Sequence, residues 1–402
     1  MSEYLIDRGQ SCIPIKKVMG IYNLEKWLLN QEQRVVNWVN ASGFKAEKGK
    51  ICLIADKTGK VELVLCGTGE DNLINLWTWA AFHDSLPEGT YSILDELTEE
   101  EANHAAIGWS LASYDFNRYF SNRKNKLGSY LIWPASCDRG HVTRTIKATY
   151  LVRDLINTPA SDMGPEQLAE AVNVVARDYN AFVNIIIGDE LLAENFPAIH
   201  AVGRASINSP RLIDLRWGNE SNPKVTLVGK GVCFDTGGLD IKGSANMKLM
   251  KKDMGGAAHV LGLAQMVMAA ELPVRLRVLI PAVENSISGN AIRPSDIIIM
   301  RNGLSVEIGN TDAEGRLILA DALAAACEER PDILLDLATL TGAARVALGT
   351  ELPALFSNDD ELAVNLKKLA ESETDPLWRL PLWKPYKRMI AGKVADLSNA
   401  PE

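Results

Sequence analysis

The pattern of apolar and polar positions divides the chain into two styles of element. Residues 51–55 (ICLIA) and 61–65 (VELVL) are short apolar runs, and Asp56-Lys57-Thr58-Gly59 lies between them. Two such runs around turn-forming residues predict a hairpin. Residues 98–112 open on a threonine, pass through three glutamates and turn apolar, which predicts a capped helix. Residues 143–157 carry a helical pattern that Thr158-Pro159 ends, and they predict one long helix joining two domains.

Beyond that helix, strands and helices alternate. Residues 182–187 (FVNIII), 225–228 (VTLV), 274–283 (VRLRVLIPAV) and 333–337 (ILLDL) read as strands, the last two as buried ones. Residues 255–271 and 315–329 read as helices, stopped by Pro273 and Pro331. Near-continuous apolar strands between helices point to a parallel sheet covered on both faces. In such sheets ligands bind beyond the carboxyl ends of the strands, so chemistry is to be sought there.

Composition narrows the function. The 402 residues are 47% hydrophobic and 23% charged, enough apolar content to fold rather than stay disordered. The net charge of -9 argues against general nucleic-acid binding, which needs a basic surface. The first 150 residues hold nearly equal numbers of acidic and basic groups, with no basic excess. No apolar run approaches the roughly 18 residues of a membrane span, and MSEYLIDRGQ has no apolar core of a secretory signal. A cytoplasmic location is expected. Cys12, Cys52, Cys66, Cys137, Cys233 and Cys327 form no C-x-x-C pair and read as reduced, packed thiols. H-E-x-x-H, G-x-S-x-G and the P-loop motif are absent.

Two charged clusters remain. The first follows the strand at 225–228: Lys230, Asp235 and Lys242 lie in a glycine-rich stretch, and Asp253 precedes the next helix. The second is Asn310-Thr311-Asp312-Ala313-Glu314-Gly315-Arg316, also at a helix entrance. Each has a plain structural reading. Asp253, Thr311 and Asp312 are good helix N-caps, and the lysines suit surface ion pairs. Together, however, Asp235, Asp253, Asp312 and Glu314 bring four carboxylates to neighbouring strand ends. That arrangement is repulsive without cations, and two divalent ions would neutralise it. Carboxylate oxygens suit Mg²⁺ or Mn²⁺ and also serve Zn²⁺. A metal pair can deprotonate a shared water near neutral pH. Lys242 and Arg316 are then spare cations for an oxyanion or a bound anion.

The stretches VGKGVCFDTGG, MKKDMGGAA and NTDAEGRLILADAL resemble those of the leucyl aminopeptidase (cytosol aminopeptidase) family of two-metal exopeptidases. Thr339-Leu340-Thr341-Gly342-Ala343 and the residues from Arg153 to Pro159 fit the same pattern. The resemblance implies two metals bridged by Asp235 and Glu314. Lys230, as a neutral amine, and Asp253 complete the tighter site, and Asp312 completes the exchangeable one. It implies that Lys242 polarises the scissile carbonyl and stabilises the gem-diolate, while Arg316 holds a bicarbonate acting as general base. Met250, Thr339 and Gly342 match positions lining the pocket for the first side chain, against core packing as the plain alternative. The expected substrates are peptides with a free N-terminus, leucine-like residues preferred. The expected assembly is a homohexamer.

The implied organisation is an α/β protein with a smaller N-terminal α/β domain (1–142) and a connecting helix (143–160). A larger catalytic domain (161–402) follows, with a mixed, mostly parallel sheet flanked by helices. The family pattern continues for some tens of residues past Glu402, so this domain is read as truncated at its C-terminus. Three competing readings stay open: a two-metal hydrolase of another bond such as a phosphoester, a DNA-binding accessory protein on the same fold, and an inactive relative. The last would require a lost ligand, and none is lost.

Overall fold

A computed structural model describes residues 4–7, 11–70, 74–121 and 128–400. Its contacts fall into two compact units, Met1–Tyr150 and Leu151–Glu402.

The first unit holds a six-stranded sheet of β1 (Leu5–Ile6), β2 (Ile13–Val18), β3 (Ile51–Ala55), β4 (Val61–Gly67), β5 (Gly89–Ile93) and β6 (Ser129–Ile132), in the order β1-β6-β5-β2-β4-β3. The predicted hairpin is present: β3 and β4 pair antiparallel. Asp56 closes its turn by accepting from the backbone N–H groups of Thr58 at 2.7 Å and Lys60 at 3.0 Å. The predicted capped helix is Glu99–Ala112, with Thr98 and Glu101 bonding each other's backbone in a capping box. Its Trp109 packs with Trp79, Phe82 and Tyr91 in one buried cluster. The long helix predicted at 143–157 starts earlier and spans Arg139–Asn157.

The second unit is built on β7 (Phe182–Ile187), β8 (Arg211–Trp217), β9 (Lys224–Gly229), β10 (Gly231–Asp235), β11 (Arg275–Asn285), β12 (Ile297–Ile299), β13 (Ser305–Glu307) and β14 (Ile333–Leu337). The main sheet runs β14-β9-β11-β8-β7, with β10 added beside β11. Pairings among β14, β9, β11 and β10 are parallel, whereas β8 pairs antiparallel to both β11 and β7. The sheet is therefore mixed, and its parallel strands β9 and β10 lead into the first charged cluster, whereas the second follows β13, which pairs antiparallel with β12 outside this sheet.

Successive residues of the central strands point to opposite faces. Leu227, Val278 and Ile280 join a core with Ala257, Leu261 and Met268 of helix Gly255–Ala269. Val228 and Leu279 join another with Ile199, Leu317 and Ala322. β14 departs from the expectation of a buried strand: Ile333 and Asp336 are exposed. The reason is its edge position, since among the described residues it pairs only with β9. None of the six cysteines is bonded, but Cys327 is exposed rather than packed. No helix among the described residues is long and apolar enough to cross a membrane.

Candidate active site

Lys230 and Asp235 lie at the carboxyl ends of the parallel strands β9 and β10, while Asp253, Asp312 and Glu314 come from the segments that enter two helices. Lys230 follows β9 directly, fixed by its N–H to the Leu337 carbonyl at 3.0 Å and its carbonyl to the Ala257 N–H at 2.9 Å. Asp235 is the last residue of β10, opposite Asn285 at the end of β11. The chain then turns through Gly237 at φ +90°, a conformation that glycine adopts without strain. Asp253 sits in the 3₁₀ turn Met250–Met254 that feeds helix Gly255–Ala269. Glu314 is the residue before helix Gly315–Glu328. Gly315 has a packing reason: a Cβ there would meet Lys230 Cε at 2.4 Å.

The structure draws six charged side chains into one cluster. Lys230 Nζ lies 2.8 Å from Asp253 Oδ2, 3.0 Å from Glu314 Oε1 and 3.3 Å from the Thr339 carbonyl. Lys242 Nζ lies 2.9 Å from Asp235 Oδ2 and also pairs with Asp312. Lys230, Asp235, Asp253 and Glu314 are buried, while Lys242 and Asp312 are partly open to solvent. Lys242 thus contacts two of the carboxylates directly, as an excess of buried negative charge attracts the nearest ammonium.

Titration behaviour reflects that excess. The Glu314 carboxyl is raised to about 7: burial, then the charges of Asp235 and Asp253, push it up against the pull of Lys230. Burial also lifts Asp312 above its ordinary range against the pull of Lys242. Burial works to discharge Lys230, but Glu314 and Asp253 outweigh it and hold the ammonium above its ordinary value. The same contest, with Asp312 and Asp235 as the carboxylates, raises Lys242.

The carboxylates are not used for capping. The turn carrying Asp253 and the helix after Glu314 have no side-chain cap hydrogen bond. Asp253 Oδ2 and both oxygens of Glu314 are buried without an aligned hydrogen-bond donor. Asp253 Oδ2 and Glu314 Oε1 meet only the Lys230 ammonium and Glu314 Oε2 has no hydrogen-bond partner, a shortfall that calls for a further cation or donor. Asp235, Asp312 and Glu314 each offer an oxygen within 4.8 Å of the others, so this donor set fits a divalent ion.

The remaining predicted residues are placed less uniformly. The Thr339 hydroxyl donates to Asp253 Oδ1 at 2.8 Å, so it holds a carboxylate of the cluster. Met250 is half-buried at the start of the turn that carries Asp253. Gly342 is exposed at the start of helix Gly342–Leu348, with open space where a side chain would be. Arg316 donates to the Asn399 carbonyl at 2.8 Å, and its buried Nε has no hydrogen-bond partner.

Three supporting groups escaped the sequence reading. Asn285 donates to Asp235 Oδ1 at 2.9 Å. Asp240 Oδ2 accepts the Thr311 N–H at 2.7 Å, and Thr311 Oγ1 donates to the Gly237 carbonyl at 2.6 Å, tying the two charged loops together. Asn399 accepts from Gly309 N at 2.8 Å and donates to the Asn310 and Ala313 carbonyls at 2.8 and 3.2 Å. Asn285 had one available signal: an uncharged polar residue two positions past the apolar run that forms a buried strand.

Buried carboxylates and lysines gathered at the carboxyl ends of a mixed sheet define an α/β enzyme with a cation-binding centre. Comparison with known proteins gives the family. The model of the cytosol aminopeptidase family catalytic domain matches residues 150–402, and that of the M17 aminopeptidase N-terminal domain matches residues 13–132. The chain belongs to the cytosol aminopeptidase (M17) family. It is 42% identical to Peptidase B of Pectobacterium carotovorum subsp. carotovorum (strain PC1), over 73% of this chain and 70% of that protein. It is 35% identical to a probable cytosol aminopeptidase of Brucella suis biovar 1 (strain 1330), over 98% of this chain and 84% of that one. The crystal structure of a cytosol aminopeptidase from Coxiella burnetii superposes with a TM-score of 0.94 at 49% identity, covering 100% of this chain and 87% of that chain. The bottromycin maturation enzyme BotP in complex with Mn superposes with a TM-score of 0.86 at 30% identity, covering 97% of this chain and 86% of that one.

Proposed function

We propose that this aminopeptidase-family chain is a two-metal exopeptidase that releases N-terminal residues, leucine-like ones preferred, from peptides with a free amino terminus. The observation that carries the reading is Glu314: a buried carboxylate whose Oε2 has no hydrogen-bond partner and whose Oε1 meets only Lys230, among three further carboxylates. Lys230, Asp235, Asp253, Asp312 and Glu314 would hold two divalent ions, zinc, manganese or magnesium, with Asp235 and Glu314 shared between them. Bound there, the ions would supply Lewis acidity and a water deprotonated near neutral pH. The Mn held by the BotP relative supports manganese as one occupant.

The chain's own groups take distinct parts. Lys230 is an ammonium in its present surroundings and must release its proton to serve as a ligand, which a divalent charge among the same carboxylates favours. Lys242 stays a cation, and its Nζ would face the charge that develops on the scissile carbonyl oxygen. Arg316 has an unpartnered Nε, which suits it to hold a bicarbonate as general base. Met250, Thr339 and Gly342 would border the first-side-chain pocket, with Thr339 also fixing Asp253. We retain the division into an N-terminal domain (1–142), a connecting helix (143–160) and a catalytic domain (161–402), and a cytoplasmic homohexamer as the working assembly.

The test is metal removal. Dialysis against a strong chelator should abolish hydrolysis of leucine p-nitroanilide, and Mn²⁺ or Zn²⁺ should restore it. Full activity after verified removal would refute the two-metal reading. Hydrolysis of p-nitrophenyl phosphate in place of the anilide would refute the peptidase reading.

A further inference from the structure

Asn285 ends β11 with 2% of its surface exposed. Its side-chain nitrogen donates twice, to Asp235 Oδ1 at 2.9 Å and to the Thr311 carbonyl at 3.1 Å. Its backbone carbonyl accepts from the Thr236 N–H at 3.1 Å and from Thr236 Oγ1 at 2.8 Å. One residue therefore joins the end of β11, the loop after β10 and the loop that carries Asp312. The orientation of its amide is fixed by chemistry: turned over, it would set a carbonyl oxygen against a carboxylate and a carbonyl.

The consequence falls on Asp235. Its Oδ1 accepts from Asn285 Nδ2 and from the Gly237 N–H at 2.8 Å. Its Oδ2 faces the opposite way, toward Lys242 Nζ at 2.9 Å. A carboxylate with two free oxygens can rotate and chelate a single ion with both. With Oδ1 saturated, the group is locked, and one oxygen is left to face the cation site.

We propose that Asn285 is a positioning residue for cation binding. It occupies Asp235 Oδ1, so that Oδ2 alone is presented, and through the Thr311 carbonyl it sets the register of the loop bearing Asp312. Asn285 carries no charge and is not itself a ligand; it acts through Asp235 and Thr311. The proposal rests on the metal-dependent reading above and extends it to a residue outside the charged clusters.

The experiment uses the full chain, freed of metal and titrated with Mn²⁺ in competition with a chromophoric chelator. Thermal unfolding of the metal-free protein is followed in parallel. Asn285→Leu keeps the branched shape and removes both donors; Asn285→Ala is the second variant, read if leucine prevents folding. The expected result is a metal-free melting temperature close to wild type and Mn²⁺ affinity lower by about 10–100-fold, the usual effect of removing a partner that orients a ligand. Wild-type affinity in a folded variant overturns the role of Asn285 and leaves the metal reading standing. A wild-type chain that binds no Mn²⁺ overturns the metal reading, and the proposal with it. A large fall in metal-free stability, or failure of both variants to fold, assigns Asn285 to the fold and also overturns the proposal.

Discussion

The catalytic unit contains two clusters of largely buried charge, and they are built on opposite rules. In the first, Arg277 of β11 forks onto Asp214 of β8 at 2.8 and 3.1 Å and donates to the Ala325 carbonyl at 3.2 Å. Glu329 is met by Arg216 at 2.8 Å, Arg275 at 2.9 Å and Arg277 at 3.1 Å. Three cations thus answer two carboxylates, and each carboxylate oxygen has a partner. Burial pushes Glu329 up, but Arg277, Arg216 and Arg275 outweigh it and hold the carboxyl below its ordinary range. In the second cluster two lysines answer four carboxylates, Glu314 Oε2 has no hydrogen-bond partner, and Glu314 rises to about 7. Charge that is balanced and hydrogen-bonded stabilises a fold; charge that is buried in excess awaits a ligand. The direction of the perturbation tells the clusters apart, whereas burial alone does not.

The sharpest way to break that contrast is to remove charge from each cluster in turn. Asp235→Asn should leave little metal and no measurable peptidase activity, because the proposed metal site rests on this carboxylate; elemental analysis alongside kcat checks it. Full metal occupancy in this variant would count against the ligand assignment.

The two lysines should then separate. Lys230→Ala is expected to lose metal. Lys242→Ala should keep it and lower kcat by roughly 10²–10³, or about 3–4 kcal/mol, as for removal of one oxyanion-stabilising donor. KM should move far less, because that interaction strengthens mainly in the transition state. An emptied metal site in Lys242→Ala would reverse the two roles.

In the balanced cluster the prediction changes kind. Arg277→Leu removes the fork on Asp214, which keeps Arg216 at 3.0 Å, and leaves the Ala325 carbonyl without that donor; it should destabilise the chain by about 1–3 kcal/mol, the usual cost of unpairing buried polar groups. Metal content and activity per folded molecule should not change. Denaturant unfolding and metal analysis on one sample test this, and a variant that unfolds normally but loses metal would erase the distinction between the clusters.

Much of this was legible in the sequence, for identifiable reasons. Apolar runs flanked by turn residues and prolines located the hairpin β3–β4 and the strands β7, β9 and β11 within a few residues, because periodicity and chain breakers act locally. Carboxylate spacing and the NTDAEGR stretch pointed to the site because charged residues at strand ends and helix entrances on one edge of such a sheet are neighbours in space. What was not legible is set by pairing at long range. β14 has the composition of a buried strand, yet its exposure depends on which strand lies beside it. β8 runs antiparallel among parallel strands, and no local pattern records strand direction. Asn285, Asp240 and Asn399 support the charged loops across separations of 26 to 90 residues. An asparagine in isolation looks the same whether it orients a carboxylate or faces water.

The smallest expected effect is the pH dependence of the balanced cluster. Glu329 is held below the ordinary carboxylate value of 4.5 in the folded chain and returns to it on unfolding. Between those two values the unfolded chain binds more protons, so stability rises with pH there. The contribution is fully present above about 4.5, the unfolded value, and disappears as pH falls through the lower folded one. Glu329→Gln removes the charge while keeping the shape. At neutral pH the variant should be less stable by no more than about 1 kcal/mol, since the site is partly open to solvent and the pairs are screened. Below the folded value the two proteins should become indistinguishable, because the wild-type side chain is then neutral as well. Urea unfolding of both proteins across the acid range, in metal-free form so that the other cluster adds no metal linkage, measures this. A gap that persisted unchanged to the acid end would mean that Glu329 contributes by packing and hydrogen bonding, not by its charge.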